Sequence, residues 1–311
     1  IAVKLTRKAE ILVKKGHPWV FDQSIVKQNS DGNAGDLVIV FDNRNNKFMA
    51  CGFYDPSSPI RIKILQANKP VVINNNWFKE KIKIAYQKRL PLLKTDTNSY
   101  RLIYGENDNL PSLISDVYDD VLVVKLYASF WWAYLNDILP ELLAISNTKT
   151  LVLRLSRNVQ KAGNEYGIKE GQIAHGELKN EVVVFKEHGV IFSANVIKGH
   201  KTGYFLDHRA NRKKVGEISK NKTVLDVFSY AGGFSVHALC GGATAVTSLD
   251  ISAPALEIAE SNAKLNNFKG KHHTIVGDAF EEMENLAQAH KKFDVVVVDP
   301  PSFAKSAAEI D

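Results

Sequence analysis

Four short segments in the last third of the chain carry residues able to hold a ligand and act on it. The first, Asp226-Val-Phe-Ser-Tyr-Ala-Gly-Gly-Phe-Ser235, reads as a strand running into a glycine-containing turn and then a helix. Glycine there lets the backbone approach a ligand closely. Set against the dinucleotide pattern G-x-G-x-x-G, the turn reads Ala231-Gly-Gly233-Phe-Ser-Val236, so two of the three glycine positions hold other residues. No Gly-Lys-Ser/Thr phosphate cradle is present either. A ligand without phosphates fits this loop better than NAD or ATP. The second signal is Asp250, 24 residues after Asp226 and closing the next strand. An acid there accepts from both hydroxyls of a ribose, or else caps the helix that follows. The third is Asp278 in Val-Gly-Asp-Ala-Phe, which accepts from an adenine amino group or again caps a helix. The fourth is Asp299-Pro-Pro-Ser-Phe303. Its two prolines fix the backbone so that Asp299 points into the crevice, a reading that favours function over structure.

The elements that must position these residues alternate strictly between strand and helix. The pattern predicts strands at 223–228, 245–250, 274–276 and 293–298, and helices at 234–239, 255–265 and 280–290. Ser252 is the candidate N-cap of the second helix, with Pro254 in its first turn. The last strand is a run of β-branched residues expected to be buried on both faces. Such alternation gives a parallel, doubly wound α/β sheet, and all four signals fall at the carboxyl ends of its strands, where ligands bind. Sheets of this kind usually have five or more strands, so a Rossmann-like domain incomplete at its C-terminus is expected.

Upstream the character changes. Residues 1–68 read as short hairpins, with strands near 37–41, 47–53 and 60–65 separated by Asp42-Asn-Arg-Asn-Asn46 and Asp55-Pro-Ser-Ser58. They suggest a small β-barrel, with Trp19 and Phe21 in its core or, alternatively, stacking on bases. After the linker Asn68-Lys-Pro70, residues 69–187 read as an α+β region, with helices at 77–93 and 131–145 and strands near 113–116, 121–127, 151–155 and 182–185. Three domains are therefore expected: 1–68, 69–187 and 188–311.

Charge separates these regions. The chain of 311 residues has a net charge of +6. Residues 1–70 carry 11 Lys/Arg against 6 Asp/Glu, residues 71–185 carry 14 against 13, and residues 186–311 carry 15 against 15. A small basic domain on a neutral body reads either as a polyanion-binding attachment or as a Lys-rich solvated surface. Two cysteines, Cys51 and Cys240, leave no disulfide framework, and a cytoplasmic, reducing compartment is expected. No Cys/His cluster has zinc spacing, so no metal is expected; His272-His273 reads as a solvated strand entrance. No apolar stretch reaches the roughly 18 residues of a membrane span, and no signal peptide is visible.

Taken as a set, the four strand-end signals resemble the class I S-adenosylmethionine-dependent methyltransferases. Thr202-Gly-Tyr-Phe-Leu-Asp-His-Arg209 with Asn211-Arg212 looks like a segment of bacterial rRNA methyltransferases. The stretch from Arg101 to Tyr118 and Lys186-Glu-His-Gly189 look like their middle domain, and the N-terminal barrel with Gly35-Asp-Leu-Val-Ile-Val40 is similar to a PUA domain. The resemblance covers essentially the whole chain and points to the PUA-domain rRNA (cytosine-C5) methyltransferases, which act on large-subunit rRNA. It implies S-adenosylmethionine as cofactor. Phe228, Ser229, Tyr230, Ala231, Gly232 and Gly233 would contact its methionine half, Asp250 with Ser252 beside it the ribose, and Asp278 the adenine end. Arg209 would hold the methionine carboxylate or be a surface arginine. Lys198, Lys201, Arg212, Lys213 and Lys214 would hold RNA phosphates or form a solvated face. Asp299 would face the target base. A homodimer stays open.

One departure matters. Cytosine-C5 transfer uses a thiolate that adds to C6 of the ring, and the resemblance places that cysteine beyond Asp311. Cys51 belongs to the barrel, and Cys240 reads as core at the end of the first catalytic helix. Exocyclic-nitrogen methylation of guanine in rRNA is the alternative, since it needs no cysteine, although Ser302 between Pro301 and Phe303 departs slightly from its Asp-Pro-Pro-aromatic pattern. An RNA-binding module with an inactive cofactor pocket is a third reading, against which all four strand-end signals argue. A nicotinamide dehydrogenase fails on the glycine pattern.

Overall fold

The computed structural model describes residues 1–301. The chain divides into two compact units. One contains Ile1–Lys94, Asn98–Val183 and Ala194–Tyr204; the other contains Thr95–Thr97, Val184–Ser193 and the chain from Phe205 onward.

The first unit opens with a six-stranded sheet. Its strands lie in the order Trp19–Val20, Ile62–Ala67, Phe48–Tyr54, Leu37–Phe41, Ala2–Leu5 and Ile25–Gln28. Neighbours are antiparallel except Ala2–Leu5, which runs parallel to Leu37–Phe41. A helix, Arg7–Lys14, capped by the Thr6 hydroxyl, packs Ala9 and Val13 onto this sheet. Trp19 and Phe21 are both exposed, contrary to the expectation of core residues. The Trp19 indole needs a partner for its N–H, and it finds the Glu106 carboxylate at 3.0 Å.

The five-stranded sheet of the same unit has the order Gln172–His175, Thr150–Leu155, Val121–Leu126, Leu113–Tyr118, Ser99–Tyr104. Helices Asn75–Leu93 and Leu135–Ser146 cover one face, and Phe53 and Leu65 of the first sheet join that same core. The other face carries polar residues that clamp the segment from Ala194 to Tyr204. Arg154 donates to the carbonyls of Val196 and Gly199 at 3.2 and 2.9 Å, and Thr202 donates to buried Asp116 at 2.6 Å. Arg101 closes on the same Asp116 with two hydrogen bonds.

The second unit is the strand–helix alternation read from the sequence. Four parallel strands lie in the order Lys271–Val276, Ala245–Asp250, Thr223–Val227, Val295–Val298. Helices Gly233–Cys240, Ala253–Lys264 and Ala279–Gln288 connect them. The chain steps outward for two strands and then returns to the other side of the first, so strand order reverses between Thr223–Val227 and Val295–Val298. An open α/β sheet binds ligands at such a reversal. Val296 and Val298 are 52% and 55% exposed, so the last strand is not buried on both faces as expected. Among the described residues it is an edge strand with one neighbour. Ahead of the sheet, the helix Arg209–Ile218 lies hard against Gly233–Cys240. A Cβ on Gly241 would sit 2.0 Å from the Gly216 carbonyl oxygen, so only glycine permits this approach.

Candidate cofactor and base site

The Asp226 turn is built on unusual backbone. Phe228, Tyr230 and Gly232 have φ of 64°, 46° and 75°, three left-handed residues within five. For the two non-glycine residues this costs about 1–3 kcal/mol each, which the surroundings must outweigh. Hydrogen bonds that cross the turn hold it: Ser229 N–H donates to the Leu249 carbonyl at 3.1 Å, and Tyr230 N–H to the Asp250 carboxylate at 2.8 Å. Gly232 seats against the helix Ala253–Lys264, where an added Cβ would meet the Ala259 Cβ at 2.7 Å. Gly232→Ala therefore combines a left-handed backbone with a clash, and we expect it to destabilise this unit by about 1–3 kcal/mol. Urea unfolding reads the effect; an unchanged midpoint would show that the turn relaxes freely.

Asp226 itself is 1% exposed. Its Oδ2 accepts from the Ser235 N–H at 3.0 Å and the Ser235 hydroxyl at 2.6 Å. Its Oδ1 and the buried Ser229 hydroxyl have no hydrogen-bond partner among the described residues. Burial above all, with the negative charges of Asp299 and Asp250 adding to it, pushes the Asp226 carboxyl up to about 7 against the hydrogen bonds from Ser235. A buried acid held this way at a strand end, next to an unsatisfied hydroxyl, is set to receive a positively charged ligand.

Asp250 does local work as well. Its Oδ2 takes the Tyr230 N–H and its Oδ1 takes the Ser252 N–H at 2.9 Å, joining the turn to the start of the next helix. Ser252 caps that helix by accepting from the Ala255 N–H, as expected. Each Asp250 oxygen keeps a second lone pair for a ligand hydroxyl. Asp278 caps its own helix, its Oδ1 accepting from Phe280 and Glu281. Phe280, beside it, is exposed and meets Phe228 edge to face at 6.3 Å, and Phe205 meets Tyr230 the same way at 5.5 Å. The Phe in Val-Gly-Asp-Ala-Phe was the available signal for Phe280, and the sequence reading passed over it.

Asp299 follows the edge strand, its side chain 44% exposed, with His208 Nε2 at 4.0 Å. His208 was not singled out from the sequence, although it stands in the Asp207-His208-Arg209 run. Ser302 and Phe303 of the same motif lie outside the described residues.

The basic strip divides. Arg212 is 3% exposed and gives Glu187 two hydrogen bonds at 2.7 and 2.8 Å, so the expectation that it grips RNA phosphate is corrected. Glu187 is fully buried and also receives His237 at 3.1 Å, with Arg209 at 3.9 Å. Burial alone would raise its pKa, but the hydrogen bonds of Arg212 and His237 and the charges of Arg212 and Arg209 hold it down to about 2. Arg209 also donates to the Leu206 carbonyl at 3.3 Å, which ties it inward. Lys213 and Lys214 are exposed beside Glu217. In the first unit, Lys198 pairs with Glu181 at 2.8 Å, and the Lys201 carbonyl accepts from Lys125.

Cys240 is exposed at the far end of its helix rather than in the core, yet partial desolvation of its sulfur pushes the thiol up to about 11. That leaves it a poor nucleophile near neutral pH. Among the described residues no group of His, Cys, Asp and Glu could hold a metal ion, and no helix is long and apolar enough to cross a membrane.

Comparison with known proteins identifies the family. The family profile described as S-adenosylmethionine-dependent methyltransferase matches residues 143–310, and that of a PUA-like domain matches residues 3–67. A ribosomal RNA large subunit methyltransferase from Deinococcus radiodurans is 40% identical over 99% of this chain and 77% of its own length. Ribosomal RNA large subunit methyltransferase I from Aliivibrio fischeri is 33% identical over 100% of this chain and 78% of its own. Among solved structures, a methyltransferase from Streptococcus mutans superposes with a TM-score of 0.82 at 23% identity, covering 100% of this chain and 80% of its own. A second, crystallised with S-adenosylhomocysteine, gives 0.81 at 24% identity, covering 99% and 78%. The chain belongs to the S-adenosylmethionine-dependent methyltransferases that carry a PUA-like domain.

Proposed function

We propose that this enzyme methylates large-subunit ribosomal RNA, at C5 of a cytosine. The observation that carries methylation of a base is the position of Asp299. It follows the strand at the reversal of the sheet, close enough to Asp226 for the two carboxylates to repel, and its side chain is open to solvent. The names of the relatives supply the class of RNA, and the basic N-terminal domain supports a polyanion partner. The cofactor, when bound, supplies an electrophilic methyl group. The chain's own part is to bind and orient: Asp226 and the turn 228–233 at the methionine half, Asp250 and Ser252 at the ribose, Asp278 at the adenine end. Asp299 would accept a hydrogen bond from the base and hold it in line. We propose three domains, 1–68, 69–187 and 188–311, the first supported by the PUA-like match over residues 3–67, although the first two share one compact unit, with Lys213 and Lys214 as phosphate contacts.

C5 transfer requires a thiolate, and the resemblance to the cytosine-C5 family implies that its cysteine follows Asp311. The second reading is methylation of a guanine amino group, which needs no thiolate. Neither cysteine of this sequence is placed for attack: Cys51 is buried in the first unit, and the Cys240 thiol titrates well above neutral pH. An rRNA fragment carrying 5-fluorocytidine separates the two. A covalent protein–RNA adduct supports C5 chemistry, and methylation of guanine without an adduct overturns it. Affinity for the same fragment should fall steeply as salt rises, because phosphate contacts release counterions. Deleting residues 1–68 should flatten that slope; an unchanged slope would move the RNA site away from the basic domain.

A further inference from the structure

A line of polar side chains crosses the sheet of the second unit beneath the cofactor turn. Asp226 Oδ2 accepts from the Ser235 hydroxyl at 2.6 Å, Ser235 Oγ lies 2.6 Å from Ser248 Oγ, and Ser248 Oγ lies 2.8 Å from His272 Nε2. Strand register makes this line possible. Asp226 is aligned with Ser248 on the next strand, and Ser248 with Thr274 on the one after, so His272 is the diagonal neighbour of Ser248 on the same face. Ser235 comes from the helix above. Ser235 and Ser248 are completely buried, and His272 is half-buried.

Counting hydrogens gives the line a direction. An ionised Asp226 cannot donate, so the Ser235 hydroxyl must give it its one proton. Ser235 Oγ can then only accept, and Ser248 must donate to it. Ser248 Oγ in turn can only accept, and His272 must present Nε2–H. A carboxylate at Asp226 thus fixes every hydroxyl rotor and the histidine tautomer three residues away.

We propose that Ser248 and His272 are positioning residues for methyl transfer: with Ser235 they form a directed hydrogen-bond relay that holds Asp226 as a carboxylate, with Oδ2 saturated and Oδ1 kept for a cationic group of the cofactor. This rests on the assignment of the Asp226 turn to the cofactor. The surrounding charges make such a relay necessary. Asp299 and Asp250 both disfavour ionisation of Asp226 on top of its burial. At the other end, burial lowers the His272 pKa, opposed by Glu260 on the helix Ala253–Lys264 and assisted by His273, which favours the neutral ring that the relay uses. Glu260 accepts from the Thr274 hydroxyl at 3.0 Å.

The test is calorimetric binding of S-adenosylhomocysteine between about pH 5.5 and 9, a range that brackets the Asp226 titration. In the wild type, affinity rises with pH through a midpoint near the Asp226 pKa of about 7. Ser248→Ala and His272→Phe remove one donor each. Both should bind about 3- to 10-fold more weakly at pH 7, as expected for one lost hydrogen bond, with the midpoint moved to higher pH. His272→Gln keeps an N–H donor and should restore both readings. His272 is only half-buried, so its variants fold even where Ser248→Ala does not. Lowered melting temperature with unchanged affinity and midpoint would reduce the line to a structural device and overturn the proposal. Failure of His272→Gln to differ from His272→Phe would overturn it too. Asp226→Asn is the separate control. Wild-type binding with an intact pH profile in that variant would instead remove the turn from the cofactor site.

Discussion

Asp299→Ala should lower the rate of methyl transfer by roughly 10²–10⁴-fold, the span for loss of a positioned acid–base or hydrogen-bonding group, while leaving cofactor binding in place. Two observations separate these effects. The side chain is 44% exposed, so its removal strands no buried partner and the fold should survive. Its charge also raises the Asp226 pKa, so its removal lets Asp226 ionise more readily, and affinity for S-adenosylhomocysteine should hold or improve near neutral pH. Single-turnover transfer to RNA, set beside calorimetric cofactor binding, reads both quantities. Asp299→Asn keeps one acceptor oxygen and should lie between alanine and wild type. A transfer rate within about threefold of wild type for the alanine variant would mean that Asp299 makes no contact particular to the transition state.

Arg212→Ala should be among the most damaging substitutions in the second unit, and its damage should be to stability. Glu187 is fully buried and Arg212 supplies two of its hydrogen bonds. Removing Arg212 leaves the buried Glu187 charge with only His237 and the more distant Arg209, a loss of up to about 3–5 kcal/mol. Arg212→Lys keeps the charge but not the two-pronged geometry, and should recover only part of the loss. The pH dependence follows the same logic. The Glu187 carboxyl is held at about 2 in the folded protein against an ordinary value of 4.5. Its stabilisation is therefore fully present above about pH 4.5 and fades as pH falls toward 2. Urea midpoints across that range should show this acid limb in the wild type and a shallower one in Glu187→Gln. If Arg212→Ala instead weakened RNA binding with its urea midpoint unchanged, the ion pair would not form in solution and the side chain would belong to the surface strip.

The sequence alone determined the alternation of the second unit, because that information is local. Ala245–Asp250 forms with the bounds read from its apolar run, and Ser252 caps its helix through a contact three residues away. The four acids were visible for the same reason: each lies at or within a few residues of the end of an apolar run. Tertiary structure decided the direction in which side chains point once elements meet. Arg212 stands among lysines and looks like surface, yet its partner Glu187 is 25 residues away and buries it. His272 looks like a solvated strand entrance, yet strand register brings it to Ser248, 24 residues away. Trp19 looks like core and lies at the surface, where its indole N–H meets Glu106, 87 residues on. Periodicity and capping are set by residues within a turn of one another, whereas burial of a charge depends on which distant element arrives with the opposite charge or the matching hydrogen bond. No local pattern encodes that encounter.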